Sequence, residues 1–289
     1  MANIEVSRAQ RLDQKVVELF PEISRAFAAR LVEQGRVSVN GRLETKPGYK
    51  LRADDAVETD YVPETETEIP DIELPVLYED NDCVVINKPV GVLVHSKGAY
   101  NPEATVASWL RSRVKNIDGN RAGIVHRLDR ATSGVMICAK TPEALSWLQK
   151  QFAQRKTKKT YYALINGELN PAEAIIDMPI ERNPKAPATF RVGANGKPSQ
   201  TRYKTVAFSG DNAYSLIELK PETGRTHQLR VHLAHFGHPI VGDELYGGEK
   251  ADRLYLHAAE LEITIPHDHE RKTFNAPLPE AFHNKGLQA

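Results

Sequence analysis

Between residues 123 and 139 the chain reads apolar, polar, apolar. Gly123-Ile124-Val125 precedes nine residues, His126 to Gly134 (HRLDRATSG), and Val135-Met136-Ile137-Cys138-Ala139 follows. Short apolar runs rich in β-branched residues predict buried strands, which makes the polar segment a strand-connecting loop. Nearer the start, apolar residues at 12, 16, 19 and 20 form a helical stripe that Pro21 ends. Ser24 can cap a second helix to about Gln34, burying Phe27, Ala28, Leu31 and Val32, with Gly35 as its stop. Val37-Ser38-Val39 alternates and meets Asn40-Gly41, a hairpin signal. Residues 76–89 read strand, turn, strand and continue through 91–95, while residues 104–115 and 142–155 carry helical spacing. The second of these opens on Thr141-Pro142, a cap with proline at the first helical position. Residues 181–200 are rich in Pro, Gly and Asn and predict a loop. Residues 213–219 predict a strand, and Thr226 can start a helix with Leu229, Leu233 and Phe236 on one side.

A chain of 289 residues accommodates one large and one small domain. Residues 54–82 hold twelve Asp or Glu and no Lys or Arg. The formal charge of zero therefore conceals positive flanks, +4 over residues 1–53 and +8 over 83–289. Local positive surface, not the total, governs phosphate binding. The expected division is a small domain over 1–53, an acidic linker over 54–75 with Pro63, Pro70 and Pro75, and a large domain over 76–289. No apolar run approaches the roughly 18 residues of a membrane span, and the first residues lack a signal-peptide pattern. Cys83 and Cys138 lie in apolar runs and read as reduced core residues. The expectation is a cytoplasmic monomer.

In the central loop one carboxylate, Asp129, sits among His126, Arg127 and Arg130. An acid that must stay ionised in a partly closed pocket needs such company. His227, His232, His235 and His238 lack the i, i+4 pairing of a zinc helix and predict hydrogen-bonding histidines, with no metal.

HRLD followed by TSG resembles the signature of the RluA-type pseudouridine synthases, which isomerise uridine in RNA. INKPVGVLVH (86–95), KKTYYALING (158–167), TGRTHQLRVHLAHFGHPIVGDELYG (223–247) and RLYLHA (253–258) resemble that family's other stretches in the same order. The two N-terminal helices and GRVSVNG resemble the S-four-like (alpha-L) RNA-binding domain. One departure is Ala131, where many relatives carry an acid.

The resemblance implies an α+β chain: a pseudouridine-synthase fold with a mixed, mainly antiparallel central sheet and flanking helices, preceded by a small α+β RNA-binding domain. It implies Asp129 as catalytic residue, Tyr161 stacked on the target base with Tyr162 as packing, and Arg225 paired with the carboxylate. Lys88 has a structural role in this reading. The RLYLHA stretch is expected as a core strand and helix start. His126, Arg127, Arg130, Thr132, Lys156, Lys158 and Lys159 are expected to bind substrate, and Arg25, Arg30, Arg36 and Arg42 to meet phosphates from the small domain. Lys185, Arg191 and Lys197 read as a solvated loop.

Uridine isomerisation breaks the N1–C1′ bond, turns the uracil and rejoins it through C5, so no redox change occurs and no cofactor is needed. The expected partner is RNA, ribosomal RNA of the large subunit ahead of transfer RNA. Two alternatives are a non-catalytic RNA-binding or ribosome-assembly protein and an N-glycosidase. The paired carboxylates of sugar hydrolases are not evident.

Overall fold

The structure is a computed structural model that describes residues 10–21, 23–61, 71–95, 103–117, 121, 123–211 and 213–288. The chain divides into two compact units, residues 1–71 with 95–104, and residues 72–94 with 105–289.

In the smaller unit, α1 (Leu12–Leu19) and α2 (Arg25–Glu33) pack beside β1 (Val37–Val39), β2 (Arg42–Leu43) and β3 (Val57–Thr59). The helical stripes predicted from spacing are the buried ones: Leu12 and Val16 from α1, and Ala28, Leu31 and Val32 from α2, meet Val37 and Val39. Leu19 instead stays exposed and Phe27 is only partly buried. Ser24 accepts the Phe27 N–H at 3.2 Å and so caps α2. Asn40 and Gly41 both adopt positive φ (53° and 73°), the backbone that a two-residue hairpin turn requires.

Sheet order is β2-β1-β3, so the small unit runs past the expected boundary at residue 53. Val57–Thr59 pairs with β1 because its alternating, half-buried residues complete an open strand edge. Asp55 accepts from Asn40 Nδ2 at 2.8 Å and Asp60 pairs with Arg36 at 2.8 Å. The first part of the acidic stretch is thus built into the small unit, which corrects its reading as spacer. Residues 62–70, the centre of the expected linker, lie outside the described residues.

The larger unit contains, in chain order, β4 (Val76–Glu79), β5 (Cys83–Lys88), α3 (Val106–Leu110), β6 (Ser133–Ala139), α4 (Pro142–Ala153), β7 (Lys158–Asn166), β8 (Glu173–Asp177), β9 (Ile180–Arg182), β10 (Phe190–Val192), β11 (Gln200–Ser209), β12 (Tyr214–Pro221), α5 (Gln228–His235), β13 (Leu256–Thr264), β14 (Arg271–Asn275), α6 (Glu280–His283) and β15 (Leu287–Gln288). Among the described residues ten of these twelve strands form one sheet, ordered β15-β11-β12-β7-β13-β6-β5-β4, with β14 beside β13 and β8 beside β11, while β9 and β10 pair apart from it. Only β13 and β6 pair in parallel, so the sheet is mixed and mainly antiparallel, as expected.

All seven residues of β6 are buried, which accounts for the unbroken apolar run after the polar loop. At its start Gly134 has φ +120°, and a Cβ there would lie 2.1 Å from the Ala258 carbonyl oxygen, so only glycine permits the approach to β13. Helix α4 begins as predicted, with Thr141 accepting from the Ala144 N–H, and seats Ala144 and Leu148 among Val85, Ile137 and Ile263.

Several expectations change. Residues 123–125 contribute only an isolated bridge between Ile124 and Cys138, because the loop leaves the sheet early. Helical structure in 104–115 is confined to α3. The 181–200 loop contains the β9–β10 hairpin, with Arg191 bound to Glu181 at 2.7 Å. RLYLHA leads into β13, a strand to Thr264, and starts no helix.

Candidate active site

The HRLDRATSG loop is held at both ends. At its start, His126 Nε2 accepts the Ile137 N–H at 3.1 Å, and its ring stacks on Phe152 at 4.5 Å. Burial, with Lys159's charge adding, pushes the imidazole pKa down to about 3. His126 is therefore a neutral acceptor that pins the loop to β6. At the far end Lys88, wholly buried, donates from Nζ to the carbonyls of Pro89 (2.8 Å), Val92 (2.9 Å) and Arg130 (3.3 Å). Burial lowers its pKa to about 7, and Asp129 nearby opposes the shift. The Thr132 N–H donates to the Asp129 carbonyl at 3.0 Å and closes the turn. Beneath it, Arg253 donates to Ser133 Oγ, which lies 2.9 Å from His257 Nδ1.

The His126 pin predicts a pH dependence. An unfolded histidine takes up its proton near 6.5 and the folded one only near 3. Acidification through that window therefore favours the unfolded chain, and the stability present above about 6.5 is lost as pH falls. In His126→Gln the amide oxygen can take over the Ile137 N–H. We expect its urea midpoint to fall less between pH 7 and pH 4.5 than that of wild type. An equal fall in both would assign the acid sensitivity elsewhere.

These anchors leave the Asp129 carboxylate about a fifth exposed. Its Oδ2 lies 3.5 Å from Arg230 Nη1 and 3.7 Å from His227 Nε2. Arg230 is itself fixed by a bidentate pair with buried Asp243, both contacts at 2.7 Å, and its guanidinium lies over the Tyr246 ring at 5.0 Å. Burial pulls the Arg230 pKa down, but the hydrogen bonds and charge of Asp243, with the charge of Asp129 adding, together raise it, so the guanidinium stays charged.

The expected partner of the carboxylate, Arg225, is elsewhere. Its Nε donates to the Pro198 carbonyl at 3.1 Å. Gln228 ties down the preceding turn, accepting from Thr223 Oγ1 at 2.7 Å and from the Arg225 N–H at 3.0 Å. His227 then takes the left-handed conformation (φ 56°, ψ 19°) and starts α5. That change of direction brings Arg230, on the first turn of α5, to Asp129.

A cleft, part of it open to solvent, lies over the carboxylate. Asp129, Tyr161, Lys159, Arg127, Arg225 and Arg230 are among its lining. A second hollow, reaching His126, Phe152 and Arg155, shares Arg127, Lys159, Tyr161 and Arg225 with it. Strand parity explains the selection from β7. Lys159 and Tyr161 face the cleft, whereas Lys158 points to the other side and pairs with Glu262 at 3.2 Å. Lys156 is exposed and lines neither hollow. Thr132 is buried in the lining; Arg130 contributes its carbonyl to Gly91 N–H and Lys88 while its side chain is exposed. Burial, with the Asp129 charge, raises the Tyr161 pKa, so the ring is a neutral phenol.

Of the small-unit arginines, Arg25 is held by Asp13 at 3.0 Å and Arg36 by Asp60, while Arg30 lies over the Phe27 ring and Arg42 is exposed. Of the four histidines between 227 and 238, His232 bonds Thr201 Oγ1 (2.9 Å) and the Met178 carbonyl (3.0 Å), and His238 bonds the Asn166 carbonyl. Sequence reasoning missed Arg230, Asp243 and Tyr246 and placed His227 only among hydrogen-bonding histidines, although all four lie within the 223–247 stretch.

Residues 82–235 match the family model described as RNA pseudouridylate synthase. The chain belongs to that family. Its members are isomerases, and residues 10–57 match the S4 domain. This pseudouridylate synthase is 38% identical to the ribosomal large subunit pseudouridine synthase D of Escherichia coli O157:H7, over 94% of this chain and 88% of the relative. It is 38% identical to the Yersinia pestis protein of the same name, over 96% and 90%. The solved structure of human RNA pseudouridylate synthase domain containing 1 matches it with a TM-score of 0.59 at 32% identity, over 71% of this chain and 83% of the human one. Among the described residues no helix is long and apolar enough to cross a membrane.

Proposed function

We propose that this chain isomerises uridines of large-subunit ribosomal RNA, with Asp129 as the carboxylate that acts on the target nucleotide. One observation carries the reading: among the described residues lining its cleft Asp129 is the sole carboxylate, and a fixed cation stands beside it. A lone carboxylate suits covalent or proton-transfer chemistry near the ribose C1′, whereas glycoside hydrolysis uses a carboxylate pair. Arg230 stands beside that acid as a fixed positive charge.

The target base must leave its stack, at a cost of roughly a few kcal/mol. Tyr161 offsets part of this by stacking, worth about 1–3 kcal/mol. As a neutral phenol it supplies a ring face and a hydroxyl, not a phenolate base. Arg127 fills the space the base vacates, and Lys159 and Arg225 hold the backbone beside the cleft. Such contacts position RNA without naming its sequence. The substrate class follows from the relatives' names, and the S4 domain supplies a second grip on RNA. The working unit in this reading is a monomer, in the cytoplasm with its RNA.

The test uses RNA from cells lacking the protein, incubated with the purified full chain, with pseudouridine mapped by carbodiimide-dependent reverse-transcription stops. New stops in large-subunit ribosomal RNA are expected. Stops only in transfer RNA would overturn the substrate, and free uracil with abasic sites would replace isomerisation by glycosidase chemistry. Binding with no new stops on any RNA would leave a non-catalytic RNA-binding protein.

A further inference from the structure

We propose that His227 is a positioning residue for Asp129, locked by Tyr246 into the tautomer that presents Nε2–H to the carboxylate. This inference rests on the reading of Asp129 given above. The Tyr246 hydroxyl oxygen accepts the Phe190 N–H at 3.0 Å and lies 2.7 Å from His227 Nδ1. Tyr246 is assigned as the donor to Nδ1, because its oxygen already accepts from Phe190 and its one hydrogen can reach that nitrogen. In a neutral imidazole the ring proton is then on Nε2. Burial lowers the His227 pKa and keeps the ring neutral, although Asp129 and Asp243 pull the other way and Arg230 and Arg127 oppose them. Nε2 is the atom that faces Asp129 Oδ2, at 3.7 Å.

That separation is longer than a formed hydrogen bond, as is common before substrate closes a site. Two further observations show that the ring is held. His227 occupies the left-handed region, an uncommon conformation for a side-chain-bearing residue and one retained only where the surroundings impose it. Its ring is also flanked edge-on by Phe190 at 5.7 Å and Tyr246 at 5.6 Å. Phe190 belongs to β10, so the short hairpin buttresses the Tyr246–His227–Asp129 line through its backbone N–H. Arg230 supplies Asp129 with charge; His227 supplies a directional donor on the same oxygen, which restrains carboxylate rotation.

Glutamine and asparagine separate the two ring nitrogens. The amide nitrogen of His227→Gln reaches the Nε2 position, whereas His227→Asn reaches only the Nδ1 position and is itself tolerant of the left-handed backbone. The full chain, labelled with ¹³C at aspartate carboxyls, is titrated by NMR as wild type, His227→Asn and His227→Gln, with Asp129→Asn assigning the signal. Removing a donor from the ionised form raises its pKa, so His227→Asn should bind the Asp129 proton at least threefold more tightly. His227→Gln should recover most of that change. With ribosomal RNA, His227→Asn should lower kcat at least tenfold with KM within twofold, moving the acid limb of kcat to higher pH, and His227→Gln should recover most of the loss. Tyr246→Phe, which keeps the imidazole but frees its tautomer, should lower kcat about threefold to tenfold. If Asn and Gln variants titrate alike and turn over alike, the proposal is overturned. Failure of wild type to isomerise uridine would sink the reading of Asp129 instead, while the titration still decides the hydrogen bond.

Discussion

Asp129→Asn should abolish pseudouridine formation while leaving the protein folded and able to bind RNA. The amide is nearly isosteric with the carboxylate, and the backbone turn through the Thr132 N–H is unaffected. Arg230 keeps its bidentate pair with Asp243, so no buried charge is stranded. Thermal midpoints should therefore agree within about 3 °C, equivalent to roughly 1 kcal/mol in a chain of this size. The rate should fall by on the order of 10⁴-fold or more, because the group that acts on the nucleotide is gone and orientation alone remains. Asp129→Glu keeps the charge but misplaces it by about 1 Å, a displacement that can cost roughly 10²-fold. Single-turnover formation of pseudouridine reads both variants. An Asn variant within tenfold of wild type would remove Asp129 from the chemistry.

The place of Asp129 in a polar loop ahead of a buried strand was legible in the sequence because that setting is contiguous, although the cation beside it, Arg230, is not one of the loop's own. The helical stripes of α1 and α2 and the Asn40-Gly41 turn were legible for the same reason, since a local period or a single dipeptide specifies them. Arg230 was not. Arg225 and Arg230 occupy one uninterrupted stretch, and which of them meets the carboxylate depends on the left-handed turn at His227, where nothing in the residue type announces positive φ. The basic cluster at 156–159 had the same weakness, because strand parity sends Lys159 to the cleft and Lys158 to Glu262. His126 carries a role its residue type did not announce: a polar side chain in the loop serves as a part-buried acceptor for the β6 backbone. The strand order of the large sheet depends on distant pairings such as β6 with β13, which no local pattern encodes.

Arg230 carries the second large effect, and its two partners allow stability and activity to be separated. Arg230→Met strands Asp243, whose side chain is 1% exposed, and leaves Asp129 without its permanent cation. Breaking one side of a buried pair costs about 3–5 kcal/mol, so the thermal midpoint should drop by roughly 10 °C. Without the guanidinium the ionised form of Asp129 is disfavoured, its pKa rises, and the acid limb of the rate profile moves to higher pH. The rate at neutral pH should fall on the order of 10³-fold. Arg230→Lys should rescue little, since one ammonium cannot serve Asp243 bidentately and reach Asp129 as well. In Arg230→Met with Asp243→Asn the stranded charge is removed, so most of the lost stability should return while the rate stays low. Arg225→Met, by contrast, should leave the Asp129 titration unchanged and weaken RNA binding. Recovery of the rate together with stability in the double variant would mean that Arg230 serves the fold alone. An Asp129 titration that moves in Arg225→Met and not in Arg230→Met would return the pairing to the residue the sequence first suggested.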